Sequence, residues 1–97
     1  MEILKNQILN NSILELNSYS VLRDDQVCFN KKTGEVVTLN HTGFLLLKLL
    51  NGSRTVFEIT NSISTAFVND SIIVTNDALN FYSNMAMIDI IKIIKNE

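Results

Sequence analysis

Apolar and β-branched residues cluster in two short runs, Val27-Cys28-Phe29 and Val36-Val37-Thr38-Leu39, around the polar stretch Asn30-Lys31-Lys32-Thr33-Gly34. Alternating flanks around a polar loop predict a β-hairpin, and Gly34 supplies the positive φ that such a loop needs. An earlier strand is expected over Tyr19 to Leu22. From His41 onward the apolar residues recur at steps of three and four, the helical signature. Asn40 can cap a first helix whose inner face is Phe44, Leu47 and Leu50 with Leu46 alongside, and Gly52 after Asn51 is expected to stop it. A second helix opens on the capping box Thr55-Val56-Phe57-Glu58 and buries Val56, Ile59, Ile63 and Phe67. A third follows Asn69-Asp70, either of which can cap it, with Val74, Ala78, Phe81, Tyr82 and Met85 inward and an end near Met85 that lacks a glycine.

The two ends read differently. Met87 to Ile94 is rich in β-branched Ile88, Ile90, Ile91, Ile93 and Ile94 and fits a strand better than a frayed helix. At the other end the apolar pairs Ile3-Leu4, Ile8-Leu9 and Ile13-Leu14 recur every five residues, a spacing that fits neither a helix nor a strand. Residues 1–18 therefore read as an N-terminal arm whose structure the pattern leaves open, between ordering on a partner and staying mobile, ahead of a folded domain over 19–91 and a tail over 92–97. The fold class is α+β: a winged-helix-like arrangement of a three-stranded antiparallel sheet followed by three helices.

Composition narrows the function. Ninety-seven residues make one domain, too small for a cleft between domains, and 46% hydrophobic residues with no proline suit a compact fold. Eight basic against ten acidic residues give a net charge of -2, so nothing drives the chain to phosphate backbones. Cys28 and His41 stand alone in their kinds, which excludes an internal disulfide and a zinc site built on the usual ligands. Cys28 in an apolar strand reads as a small buried hydrophobe, and His41 as an exposed first-turn residue. Asp24-Asp25 reads as a solvated turn, since calcium requires further oxygen ligands. With scattered carboxylates and no supported nucleophile, no enzyme, cofactor or metal is expected. No apolar run approaches the roughly 20 residues of a membrane span, and no signal-peptide pattern opens the chain, so the expectation is a cytoplasmic protein without a membrane partner.

A longer pattern carries a family likeness. Asp24-Asp25-Gln26-Val27, then Thr33-Gly34-Glu35-Val36-Val37-Thr38-Leu39-Asn40, then Thr42-Gly43 and Leu46 to Leu50, then Asn51-Gly52-Ser53-Arg54-Thr55-Val56-Phe57-Glu58-Ile59 keep a fixed order: a strand ending in Leu-Asn, an apolar helix, and an Asn-Gly turn into Thr-Val-x-Glu-Ile. Asp77-Ala78-Leu79-Asn80-Phe81-Tyr82 continues the pattern in the third helix. Over residues 19 to 91 the chain resembles the PqqD-like family. It departs from that family at Met87, where a glycine often ends the third helix, and at Asn51, where Asp is common.

The resemblance implies a RiPP recognition element, a non-catalytic domain that binds the leader of a ribosomally made precursor peptide and presents it to a peptide-modifying enzyme. In that family the leader adds as an antiparallel strand to the exposed edge of the third strand and places apolar side chains against the third helix. Carried onto this chain, the peptide-binding positions are Glu35, Val36, Val37, Thr38 and Leu39 on the strand and Thr75, Leu79 and Tyr82 on the helix. Strand addition needs an unpaired edge, and no Pro or Lys between Glu35 and Leu39 blocks one. If Val37 and Leu39 face the helices, Val36 and Thr38 face away. Glu58, Asp70, Asp77 and Asp89 would favour a leader with some positive charge.

Plainer readings stand beside these. The tail from Met87 to Ile91 could occupy the same edge, Leu79 could be an isolated surface leucine, and Tyr82 fits core filler as well as a ligand contact. A winged-helix DNA-binding regulator would use the same scaffold, but Thr55 to Ile91 holds no lysine or arginine, where a recognition helix needs several. Nucleic acid is thus not an expected partner. A dimerisation module, pairing the arm or the tail with its own copy, is the other alternative, and a homodimer is compatible with leader binding.

Overall fold

The computed structural model describes residues 7–67 and 71–96, without the side chains of residues 65–75. Among them the elements run β1 (Ser12–Leu16), β2 (Ser20–Leu22), β3 (Val27–Asn30), β4 (Val36–Thr38), α1 (His41–Lys48), α2 (Val56–Phe67), α3 (Ser71–Met87) and β5 (Ile91–Asn96). The expected three-stranded antiparallel sheet forms in the order β2-β3-β4 and is followed by the three helices. A second, two-stranded sheet joins β1 to β5.

Local chemistry accounts for most element ends. Gly34 takes φ +83°, closing the β3–β4 loop, and its N–H donates to the Asn30 carbonyl at 2.8 Å. Asn40 caps α1 by accepting from the Gly43 N–H at 2.7 Å. Thr55 and Glu58 form the reciprocal box at α2: the Thr55 N–H donates to Glu58 Oε1 at 2.9 Å and the Glu58 N–H to Thr55 Oγ1 at 3.1 Å. Gly52 does not stop α1, which ends at Lys48; its φ of +77° serves the following turn, where Asn51 Oδ1 accepts from the Ser53 and Arg54 N–H groups. The Asn69-Asp70 cap lies outside the described residues.

The third helix runs to Met87 and ends without glycine because Asp89 takes the left-handed conformation, φ 59°. The Ile90 N–H donates to the Met85 carbonyl at 2.9 Å and the Asp89 N–H to the Ala86 carbonyl at 3.1 Å, the bond pair of a Schellman ending. That turn delays the expected C-terminal strand to Ile91.

At the other end, Ser12–Leu16 pairs with β5 with a bulge: Ile13 faces Lys95 but Leu14 faces Ile93, so Ile94 is the extra residue. Adjacent strand residues point to opposite faces, and here both faces are covered: Leu14 enters the main core, while the buried Ile13 lies outside that cluster and bridges Thr55 at the start of α2, which is why this strand shows no alternation in sequence. Glu15 and Lys92 pair across the two strands at 3.4 Å.

The core joins both sheets to the helices. Leu14, Cys28, Leu47, Val56, Ile59, Ala78, Tyr82 and Ile90 are nearly or fully inaccessible, each at 1% exposure or less. The inner faces expected for α1, α2 and α3 are there, with Leu50 and Phe81 half-buried; the side chains of Phe67 and Val74 lie outside the described set. Cys28 is buried as read, and burial pushes its thiol pKa up. Asp25 pairs with Arg23 at 2.8 Å on an exposed turn, and His41 opens α1 in an exposed position.

Candidate functional site

The β2-β3-β4 order leaves β4 paired on one side only among the described residues, and β5 pairs with β1 instead. The tail therefore does not occupy this edge. Which backbone groups face outward follows from the ladder. Cys28 stands opposite Val37, and the flanking bonds run from the Asn30 N–H to the Glu35 carbonyl at 2.9 Å and from the Leu39 N–H to the Gln26 carbonyl at 2.8 Å. Antiparallel pairs alternate between bonded and non-bonded positions, so Glu35, Val37 and Leu39 point their main-chain groups at β3. Val36 and Thr38 point theirs away, presenting two N–H and two C=O groups to an incoming strand.

Side chains sort by the same alternation. Leu39 is buried and Val37 half-buried, while Val36, at 64% exposure, and Thr38 lie open with Glu35 beside them. A strand added here would therefore meet an apolar residue on either face: Val37 toward the helices and Val36 toward solvent.

The helix positions divide. Leu79 is half-buried against the core. Tyr82 is fully buried and its hydroxyl donates to the Leu46 carbonyl at 2.7 Å, so it fills the core and ties α3 to α1. Burial also raises its phenol pKa. Thr75 sits in α3 with its side chain outside the described set. Phe81, which the sequence placed only on the inner face, approaches the junction where β4 passes into α1: a Cβ on Gly43 would lie 3.1 Å from its Cε1. Gly43 thus admits an aromatic ring at close range, and Phe81 stands about 160° round the helix from Leu79. The signal available in sequence was a next-turn neighbour of Ala78, three residues on, opposite a glycine, which has no meaning until the two elements are brought together.

A hub of polar contacts stands behind the edge. Asn30 ends β3, is 1% exposed, and donates from Nδ2 to the Asp89 carbonyl at 2.8 Å, while its Oδ1 accepts from the Lys32 and Thr33 N–H groups. Among the described residues no group of three His, Cys, Asp or Glu side chains gathers as a metal site would require. A shallow hollow of about 200 Å³ beside Leu16, Leu22, Phe44 and Leu47 has only Asp24 and Lys48 as charged neighbours.

An open edge strand ahead of three helices is the arrangement expected of a peptide-binding scaffold, and comparison gives it a family. The family model described as coenzyme PQQ synthesis protein D (PqqD) matches residues 25–91, well over half of the chain. The chain belongs to the PqqD family. PqqD-family proteins are RiPP precursor-peptide recognition elements, non-catalytic peptide chaperones rather than enzymes. No curated protein and no solved structure matches the chain. The match to PqqD begins at Asp25 and closes at Ile91, so β1, β2 and nearly all of β5 lie outside it. Among the described residues no helix is long and apolar enough to cross a membrane.

Proposed function

We propose that this PqqD-family protein binds the leader of a precursor peptide by strand addition along Glu35 to Leu39 and presents it to a peptide-modifying enzyme. The observation that carries the reading is the outward-facing main chain of Val36 and Thr38 on an edge free of proline and lysine. Main-chain bonds give affinity that tolerates sequence, and the side chains at and behind the edge select among peptides. On the strand side the leader meets Val37 and Val36; from α3, Leu79, Thr75 and the structurally added Phe81 are the candidate contacts.

Titration of isotopically labelled protein with a synthetic leader from a neighbouring precursor gene, followed by heteronuclear NMR, tests this directly. Shifts concentrated at Glu35 to Leu39 and along α3, with duplex DNA silent, are the expected result. Failure of any leader to move β4, or a DNA response through α3, would overturn the reading. Leu79→Asp and Phe81→Ala then separate the two flanks of α3, because only the flank that lines the groove loses affinity.

A further inference from the structure

We propose that Asn30 is a positioning residue for peptide binding: it ties the hairpin carrying the β4 edge to the C-terminal end of α3, fixing the spacing between strand and helix that a docked peptide has to match. This rests on the reading of β4 as the docking edge. Every polar group of Asn30 is engaged. Its N–H donates to the Glu35 carbonyl at 2.9 Å, and its carbonyl accepts from the Gly34 N–H at 2.8 Å. Oδ1 accepts from the Lys32 N–H at 2.8 Å and the Thr33 N–H at 3.1 Å. These four bonds are local and shape the β3–β4 turn. The fifth, from Nδ2 to the Asp89 carbonyl, spans 59 positions of sequence.

The distant partner is the left-handed residue that terminates α3, so the bond joins the end of the helix to the base of the edge strand. Ser20 Oγ adds a parallel tie from β2 to the Ile90 carbonyl at 2.6 Å. The turn alone does not explain an amide at this position, because an aspartate would offer Lys32 and Thr33 the same acceptor. What asparagine adds is the donor to Asp89. A peptide that contacts both β4 and α3 binds best when their spacing is already set, because a hairpin free to shift must be ordered at the moment of binding.

The test compares leader affinity by calorimetry in the wild type and in Asn30→Asp, at a temperature where circular dichroism shows both folded. Asn30→Asp keeps the turn acceptor, loses the Nδ2 donor and sets a carboxylate against the Asp89 carbonyl. Weakening of about tenfold, one hydrogen bond's worth of lost pre-organisation, is expected, with the Val37 and Leu39 amides still protected from exchange. A residue that only stabilises the fold would lower the melting temperature and leave the affinity of the folded protein unchanged, and that outcome overturns the proposal. If Asn30→Asp does not fold, Asn30→Ser, whose hydroxyl serves the turn but is too short to reach Asp89, replaces it with the same two outcomes. A wild type that binds no leader overturns the docking edge itself, and the positioning role with it.

Discussion

Asp89 illustrates how one residue can carry a cost that a neighbour makes necessary. It occupies a left-handed position that glycine would adopt without strain, and the bonds it makes there are main-chain ones that glycine keeps: its N–H donates to the Ala86 carbonyl and its carbonyl accepts from the Asn30 amide. Asp89→Gly is therefore expected to raise stability by about 0.5–1 kcal/mol with the acceptor retained, read as a higher midpoint in thermal unfolding. Tyr82 is the opposite case. Tyr82→Phe leaves the buried Leu46 carbonyl without its donor and is expected to cost about 1–2 kcal/mol in denaturant melts. It also bears on pH. Burial raises the acid pKa values of Tyr82 and Cys28 above their ordinary 10.0 and 9.0, so the unfolded chain releases these protons first as pH rises. Stability is full below pH 9 and declines above it, through the range in which the unfolded groups ionise while the folded ones stay neutral. The expected decline between pH 9 and 11, followed by circular dichroism, should be shallower in Tyr82→Phe.

At the scale of the element, β4 is short, and its use depends on which of its residues look outward. Thr38→Pro removes an N–H that faces the open edge and none that faces β3. The prediction is a protein that keeps its far-ultraviolet spectrum but loses about tenfold or more in leader affinity. Val37→Pro, one residue away, removes a ladder bond to Cys28 and is expected to unfold the hairpin. Equal affinity of Thr38→Pro and wild type, measured by titration calorimetry, would exclude strand addition at this edge. The α3 helix adds a second lesson: its inner face was evident from spacing, but the flank that approaches the β4–α1 junction was not. Only the fit of Phe81 over Gly43 distinguishes that side from the one bearing Leu79.

For the whole molecule, the family match and the folded unit have different boundaries. The match covers residues 25–91, yet Leu14 is 1% exposed in the core and β1 pairs along β5. Burying a leucine of this kind contributes about 2–5 kcal/mol relative to alanine, a large share of the stability of a domain this small. A chain trimmed to residues 25–91 is thus expected to lose cooperative thermal unfolding, and Leu14→Ala in the full chain to lower the midpoint markedly. The stretch from Thr55 to Ile91, which holds α2 and α3, carries Glu58, Asp70, Asp77 and Asp89 and no lysine or arginine, in keeping with a peptide rather than a nucleic-acid partner.

Much of this protein was legible in its sequence because the signals are local. The hairpin around Gly34, the Asn40 cap, the Thr55–Glu58 box and the buried stripes of the helices each depend on residues within a turn or two of one another. The order of those elements sufficed for the family likeness, and alternation paired Val37 with Leu39 and Val36 with Thr38, leaving burial to decide which pair faces out. What the chain could not show by itself depends on contacts between distant segments. The pairing of Ser12–Leu16 with Ile91–Asn96 joins the two ends of the chain and buries Ile13 and Leu14 on different sides, Gly52 found its use in a turn beyond the helix it seemed to end, and Tyr82 went to the core, where its hydroxyl meets the Leu46 carbonyl. Periodicity reports which face of an element is apolar; only packing decides what that face meets.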